Sequence, residues 1–410
     1  MMFSVIINLE LLLGVKRMKS KFTVIVMCLI ILAIFSVLGL LGFSIIQEFM
    51  SEQEEGSKVG VNVNEVDSDK IDEKPVIDNT IEKNIEVPRI KVNASSNSTN
   101  PLEELEKGSS NTNIQVIDDN IEINKYFYNQ LEEPSKKMYR AFAINKTNMQ
   151  KGNYEIDFGS VFTDILSKED GQEILGDYYQ TAIEAYIYDN PDVFYLSPSK
   201  MYLNIETTTR GKEKSYRAFV NCGDNLNYFI DDFASSYEVE NAIKELESVK
   251  SLIVGRKTGD RVKDIRMVHD YLINSIDYDN TVSYKNIYNI YGALVGKKCV
   301  CEGYAKAFKY LLDGLNINNT LVIGIATNSN RQSENHAWNY VDVNGTWYAV
   351  DVTWDDPIII GNGYVSENIK YKYFLKGSTT MNMNHYPSGT FTEGGKVFNY
   401  PTISASDYKL

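Results

Sequence analysis

The sequence predicts an α+β chain in which a helix-borne cysteine packs on an antiparallel sheet. Ahead of that unit it predicts a smaller α+β domain, a disordered stalk and one N-terminal transmembrane helix. Three observations carry this reading. Residues 22–46 hold no charged side chain. No aromatic residue occurs between positions 50 and 125. From Tyr126 onward helical and strand periodicities alternate, and 43 of the chain's aromatic residues lie there.

Residues 1–21 are expected to be cytoplasmic. Met18-Lys19-Ser20-Lys21-Phe22 reads as an ordinary opening for an anchor, so Met18 is the expected start. The anchor is assigned to 22–47. A helix over its uncharged run would be about 37 Å long, enough to cross a hydrocarbon core of about 30 Å with some tilt. Lys16, Arg17, Lys19 and Lys21 precede it, and Glu48, Glu52, Glu54 and Glu55 follow it. That asymmetry puts everything after residue 47 outside the cell. A cleaved signal peptide would have a shorter apolar core and a small-x-small site, and Gly42-Phe43-Ser44 is a poor one. Cys28 follows Met27, where a lipid-attachment site wants a small residue.

Residues 48–125 are read as a disordered acidic stalk. Positions 51–110 hold 14 Asp or Glu against 7 Lys or Arg. Such a segment buries too little apolar area to offset its ordering entropy. The net charge of −14 argues against nucleic acid as a partner and supplies no basic surface for anionic lipid. Four cysteines are too few for a disulfide framework.

The smaller α+β domain is assigned to 126–235. Helical patterns cover 127–144 and 171–188, and strand patterns cover 193–196, 201–207 and 215–221. The catalytic domain is assigned to 236–386 and opens with helices at 237–254 and 259–276. Val262, Ile265, Val268, Leu272 and Ile276 recur there at helical spacing. Residues 387–410 are read as a C-terminal tail.

The chemistry concentrates in three segments: Cys301-Glu302-Gly303-Tyr304-Ala305, Asn335-His336-Ala337-Trp338, and Asp351-Val352-Thr353-Trp354-Asp355. A thiol nucleophile needs a base, and the base needs a partner that fixes its tautomer. The chain has only three histidines, which gives weight to His336. After Cys301 the pattern turns helical, with Tyr304, Phe308, Leu311, Leu312 and Leu315 on one face. Cys301 then sits at a helix N-terminus, where the macrodipole and free N–H groups favour thiolate. Lys297 and Lys298 would add to this if they face the site. The structural alternative for a lone cysteine is a small buried hydrophobe.

His336 and Asp351 follow from register. Residues 335–343 and 346–354 read as strands flanking Asn344-Gly345, a signal for a two-residue type I′ hairpin. With Val343 opposite Thr346, His336 lies opposite Thr353 and Trp338 opposite Asp351. His336 and Asp351 are then diagonal neighbours on one face. Val341, Val343, Tyr348, Val350, Val352 and Trp354 mark the core face. A one-residue slip would separate the imidazole from the carboxylate. His269 is read as a packed helix residue; for His385 the readings are approach to the site from the C-terminal tail or exposure, and exposure is favoured. A Cys299–Cys301 disulfide would be strained, and a zinc site on Cys299, Cys301 and His336 lacks a fourth obvious ligand.

These segments resemble the core of the transglutaminase-like superfamily, which has a papain-like fold with Cys, His and Asp in this order. The resemblance covers roughly residues 260–357. It implies that Cys301 is nucleophile, His336 general base and acid, and Asp351 the orienting carboxylate. Region 126–235 more weakly resembles a companion domain of extracellular proteins from low-GC Gram-positive bacteria. The glutamine or tryptophan that relatives use as a second oxyanion donor has no counterpart here, which leaves Tyr288 and Tyr291 as candidates. No calcium-loop spacing occurs, so no cofactor or metal is expected. The resemblance implies a thiol enzyme acting on protein or cell-wall peptide amides through a thioester, and the expected anchor at 22–47 would tether it to the membrane. Hydrolysis is favoured over cross-linking, and a non-catalytic surface module is the reading from a different class.

Overall fold

The computed structural model describes residues 92–98, 121–356, 366–392 and 395–410. The expected cytoplasmic segment, the transmembrane helix at 22–47 and most of the stalk lie outside them. Among the described residues, no helix is long and apolar enough to cross a membrane.

One stretch inside the expected stalk is a strand. β1 (Val92–Ser98) pairs in parallel with β3 (Tyr202–Arg210), Val92 opposite Leu203. A sheet edge offers unpaired N–H and C=O groups, and backbone pairing asks for no apolar side chains. Composition alone therefore misses such a strand. β3 turns through Gly211, at φ +63°, into β4 (Glu213–Asn221), and β2 (Ile156–Gly159) closes the order β1-β3-β4-β2. The strand expected at 193–196 is instead a 3-10 turn, Pro191–Val193, followed by a single bridge from Leu196 to Phe229. Pro191 supplies no N–H for a ladder.

Helices α1 (Glu133–Ile144) and α2 (Gly171–Asp189) lie beside this sheet. Tyr139 and Phe142 meet Tyr186 with ring centroids 5.1 and 5.5 Å apart. At the end of α2, buried Asp189 accepts the Phe127 and Tyr128 N–H groups at 3.0 and 2.9 Å. α3 (Ser236–Val254) and α4 (Arg261–Ser275) fall close to their predicted spans. Each has a side-chain cap: Ser235 accepts from Glu238 N–H, and Asp260 from Val262 and Lys263 N–H. A short parallel pair, β5 (Asp277–Tyr278) with β6 (Lys298–Cys299), leads into α5 (Cys301–Gly314).

The second sheet runs β10-β7-β8-β9, with β7 (Asn319–Thr327), β8 (Ser333–Val343), β9 (Thr346–Val350) and β10 (His385–Pro387). The hairpin has the predicted register, Val343 opposite Thr346 and Asn339 opposite Val350. Asn344 and Gly345 both take positive φ, +55° and +86°, as a type I′ turn requires.

β9 ends at Val350, short of the expected 354. Asp351 Oδ1 accepts the N–H groups of Thr353 and Trp354 at 3.0 and 3.2 Å. That turn pulls the chain out of the sheet. Val341, Val343, Val350 and Val352 join the main core, but Trp354 packs on the opposite side with Trp338, Tyr340 and Tyr373. Both faces of β8 are thus covered. The C-terminal segment read as a tail helps to cover them. Phe127 meets Phe391 and Phe398 edge-on at 5.3 and 5.2 Å, and Ile403 bridges to Trp347.

Candidate active site

Cys301 is the first residue of α5 and is 6% exposed. Val300, the N-cap, brings no side-chain cap, and the N–H groups of a first helical turn lack intrahelical acceptors. The residues after the cysteine each fix a neighbour. A Cβ on Gly303 would lie 2.5 Å from Cys299 Cβ and 2.7 Å from the Ile287 carbonyl oxygen, so only glycine lets the helix start here. The Tyr304 hydroxyl hydrogen-bonds the Ile276 carbonyl at 3.1 Å and Asp356 at 2.5 Å. The Ala305 carbonyl accepts from Asn339 Nδ2 at 3.0 Å, tying α5 to β8. Lys297 donates to the Tyr271 hydroxyl at 2.8 Å, and Lys298 lies over the Tyr284 ring at 3.9 Å. Both lysines expected to assist the thiol are therefore held by tyrosines.

His336 and Asp351 meet, although the ladder stops at Asn339–Val350 and the expected pairs of His336 with Thr353 and Trp338 with Asp351 do not form. His336 Nε2–H donates to Asp351 Oδ2 at 2.7 Å, with both residues buried. The Cys301 thiol is near enough to act on the same imidazole. Burial pushes the imidazole down, but the Asp351 charge and hydrogen bond, joined by Cys301, raise it well above the ordinary histidine value. Burial likewise pushes Asp351 up, and His336 and His385 together pull it well below the usual carboxylate range. The structure thus brings Cys301 to the imidazole of a hydrogen-bonded His336–Asp351 pair.

His385, expected to be exposed, is 1% exposed and belongs to the same cluster. Its Nε2–H donates to Asp351 Oδ2 at 3.0 Å, and its Nδ1 lies 2.8 Å from the Asn384 amide oxygen. β10 is brought there by pairing with β7, His385 opposite Ala326. Gly324 permits that approach, since a Cβ there would lie 2.2 Å from the Tyr386 carbonyl oxygen. His269 is packed within the helix as expected, its ring nitrogens 3.1 Å from Asp270 and 3.1 Å from Asp355. Burial pushes Asp355 up to about 7 against the opposing pull of His269. The ligating atoms of His336, Asp351 and His385 lie within 4.8 Å of one another, a spacing that two hydrogen bonds to one carboxylate oxygen already account for.

Of the proposed oxyanion donors, Tyr291 is committed elsewhere, its hydroxyl donating to Glu245 at 2.7 Å. Tyr288 lines a cavity of about 280 Å³ beside α5, together with Glu302 and Lys306. Cys299 is fully buried against Gly303, and none of Cys222, Cys299 and Cys301 is joined in a disulfide.

Residues 248–352 match the model of the transglutaminase-like superfamily. This segment is a transglutaminase-like core. No curated protein matches the chain. Among solved structures the chain is similar to one described as a TGase, at 14% identity, covering 42% of this chain and 49% of that one, with a TM-score of 0.25. It is also similar to a candidate cysteine protease from Cytophaga hutchinsonii, at 14% identity, covering 39% and 68%, with a TM-score of 0.24. A third is the periplasmic domain of TgpA from Pseudomonas aeruginosa bound to ethylmercury, at 13% identity, covering 35% and 56%, with a TM-score of 0.23. The chain spans about half the length of the first of these structures. The matched segment of the transglutaminase-like core contains Cys301, His336 and Asp351 and stops short of His385.

Proposed function

We propose that this chain is a membrane-anchored thiol hydrolase that acts outside the cell on peptide or glutamine amides. The observation that carries the chemistry is the Cys301 thiol at a helix N-terminus, acting on the imidazole of the hydrogen-bonded His336–Asp351 pair. His336 takes the thiol proton, and Cys301 Sγ bonds to the amide carbon. The C–N bond then breaks as His336 returns that proton to the departing amine. Water adds to the thioester with His336 as base, the S–C bond breaks, and the acid leaves. The first-turn N–H groups of α5 are the donors at hand for the oxyanion. Water is the acceptor wherever nothing built into a site excludes it, which favours hydrolysis over transfer to a lysine amine. The uncharged run at 22–46 and its charge asymmetry support the anchor and the outward orientation.

A thiol-reactive amide mimic should label the wild type and fail on Cys301→Ala, with His336→Ala strongly slowed. Equal labelling of all three would defeat the enzymatic reading. Product masses from cell-wall peptides, and from a glutamine-bearing protein with a fluorescent amine, decide the acceptor. Amine incorporation without hydrolysis would make the chain a cross-linker. Protease added to intact cells should digest the folded part, and protection would sink the outward orientation.

A further inference from the structure

We propose that His385 is a positioning residue of the same site, holding Asp351 as a charged, fixed partner for His336. This rests on the reading of Cys301 as the nucleophile. Asp351 is fully buried and accepts from four donors. Its Oδ1 takes the Thr353 and Trp354 N–H groups, and its Oδ2 takes the two imidazoles, at 2.7 Å from His336 and 3.0 Å from His385. A turn supplies the first two donors. The third is the reacting imidazole, which moves protons. His385 is the donor on Oδ2 that takes no part in proton transfer.

The surroundings hold its ring in place. Trp354, Trp338 and Tyr373 enclose it, with centroids 4.7, 5.1 and 5.2 Å away. Asn384 sits at its far nitrogen and itself donates to the Tyr373 hydroxyl at 2.9 Å. A side chain buried only for packing would be apolar, since burying an imidazole needs both nitrogens satisfied. Here one of those nitrogens is aimed at the carboxylate that orients His336. With one donor fewer, the buried carboxylate binds a proton more readily, and a protonated Asp351 no longer balances an imidazolium. The titratable groups facing Asp351 are His336 from β8, backed by Cys301 of α5, Asp355 from the same turn, and Tyr373 from the segment before β10. The working unit then extends past the family match to β10.

The test needs no substrate. The second-order rate of Cys301 alkylation by iodoacetamide is followed from pH 5 to 9 in the full chain. Cys301→Ala supplies the background and by itself reports whether Cys301 is the reactive thiol. His385→Leu keeps volume without a donor, and His385→Gln keeps an N–H within reach of Asp351. The Leu variant should react roughly tenfold to a hundredfold more slowly near neutrality, the worth of one hydrogen bond to a charged group. Its profile should move toward that of Asp351→Asn, while the Gln variant stays within about threefold of wild type at a matching melting temperature. A Leu variant that alkylates at the wild-type rate or faster overturns the proposal. So does a Gln variant that falls as far as Leu, because packing would then explain both.

Discussion

At the scale of single residues, each proposed reacting group is defined by what it touches. Asp351 has all four of its acceptor positions filled, and two of the donors are imidazoles. Asp351→Asn keeps the shape but places an amide NH₂ or a weaker acceptor opposite Nε2–H. By analogy with the orienting aspartate of hydrolase triads, kcat should fall on the order of 10²- to 10⁴-fold. Steady-state turnover of whichever amide is cleaved checks this, and a loss below about tenfold would remove Asp351 from the orienting role. Cys301, His336 and Asp351 were legible because each stands in a short segment with a local signal: a helix start, a strand, a turn-defined register. His385 had no such signal. It lies 34 residues from Asp351 on a three-residue strand, too short for any alternation to show. Asn339, which joins the cysteine helix to the histidine strand, reads in the sequence as one more polar residue in a strand.

At the scale of elements, two glycines decide where the reacting groups stand. Gly345 completes the turn that sets the register of β8 on β9, at φ +86°. Gly345→Ala forces a Cβ into the left-handed region and should cost about 1–2 kcal/mol, read as a lowered denaturation midpoint with an unchanged slope. Gly303→Ala meets a harder obstacle, because the Cys299 Cβ and the Ile287 carbonyl already occupy the space. It should cost roughly 1–3 kcal/mol and also slow Cys301 alkylation, since relief requires the start of α5 to shift. Normal alkylation with normal stability would mean that the helix start is not pinned there. The Asn-Gly hairpin was readable because turn chemistry is local. The end of β9 was misplaced because the side chain of Asp351 captures backbone N–H groups that alternation alone would have left in the sheet.

At the scale of the whole molecule, segments far apart in the sequence hold each other, and the titratable groups set a pH window. Phe127 packs on Phe391 and Phe398, and Ile403 lies on Trp347. Phe391, Phe398 and Ile403 are therefore part of the core, and removal of the chain after Pro387 should abolish the cooperative melt. Each such side chain contributes about 1.5–3 kcal/mol, and a domain holds only about 5–15 kcal/mol in reserve. A composition count could not show this, because Phe127 and its partners Phe391 and Phe398 lie far apart in the sequence. The pH window follows from opposing sets of groups. His336 and His269 are raised above the unfolded value of 6.5, and Asp355 is raised from 3.8 to about 7. All three bind protons more tightly when folded, so their stabilisation is present at low pH and drains away as pH rises. Asp355 drains between about 4 and 7, and the two histidines from about 6.5 upward. Asp351, Asp270, Asp279 and Asp407 are lowered, and their contribution is lost as pH falls through about 4 and below. The net charge of −14 adds self-repulsion on the alkaline side. The melting temperature should therefore peak near about pH 5 and decline steadily to pH 8. Asp355→Asn should flatten the decline between about pH 5 and 7, weaken the share of the later fall that His269 supplies, and leave the share from His336. A wild-type melting temperature that is flat or rising from pH 6 to 8 would show that the buried histidine–carboxylate pairs do not hold their protons in the folded state.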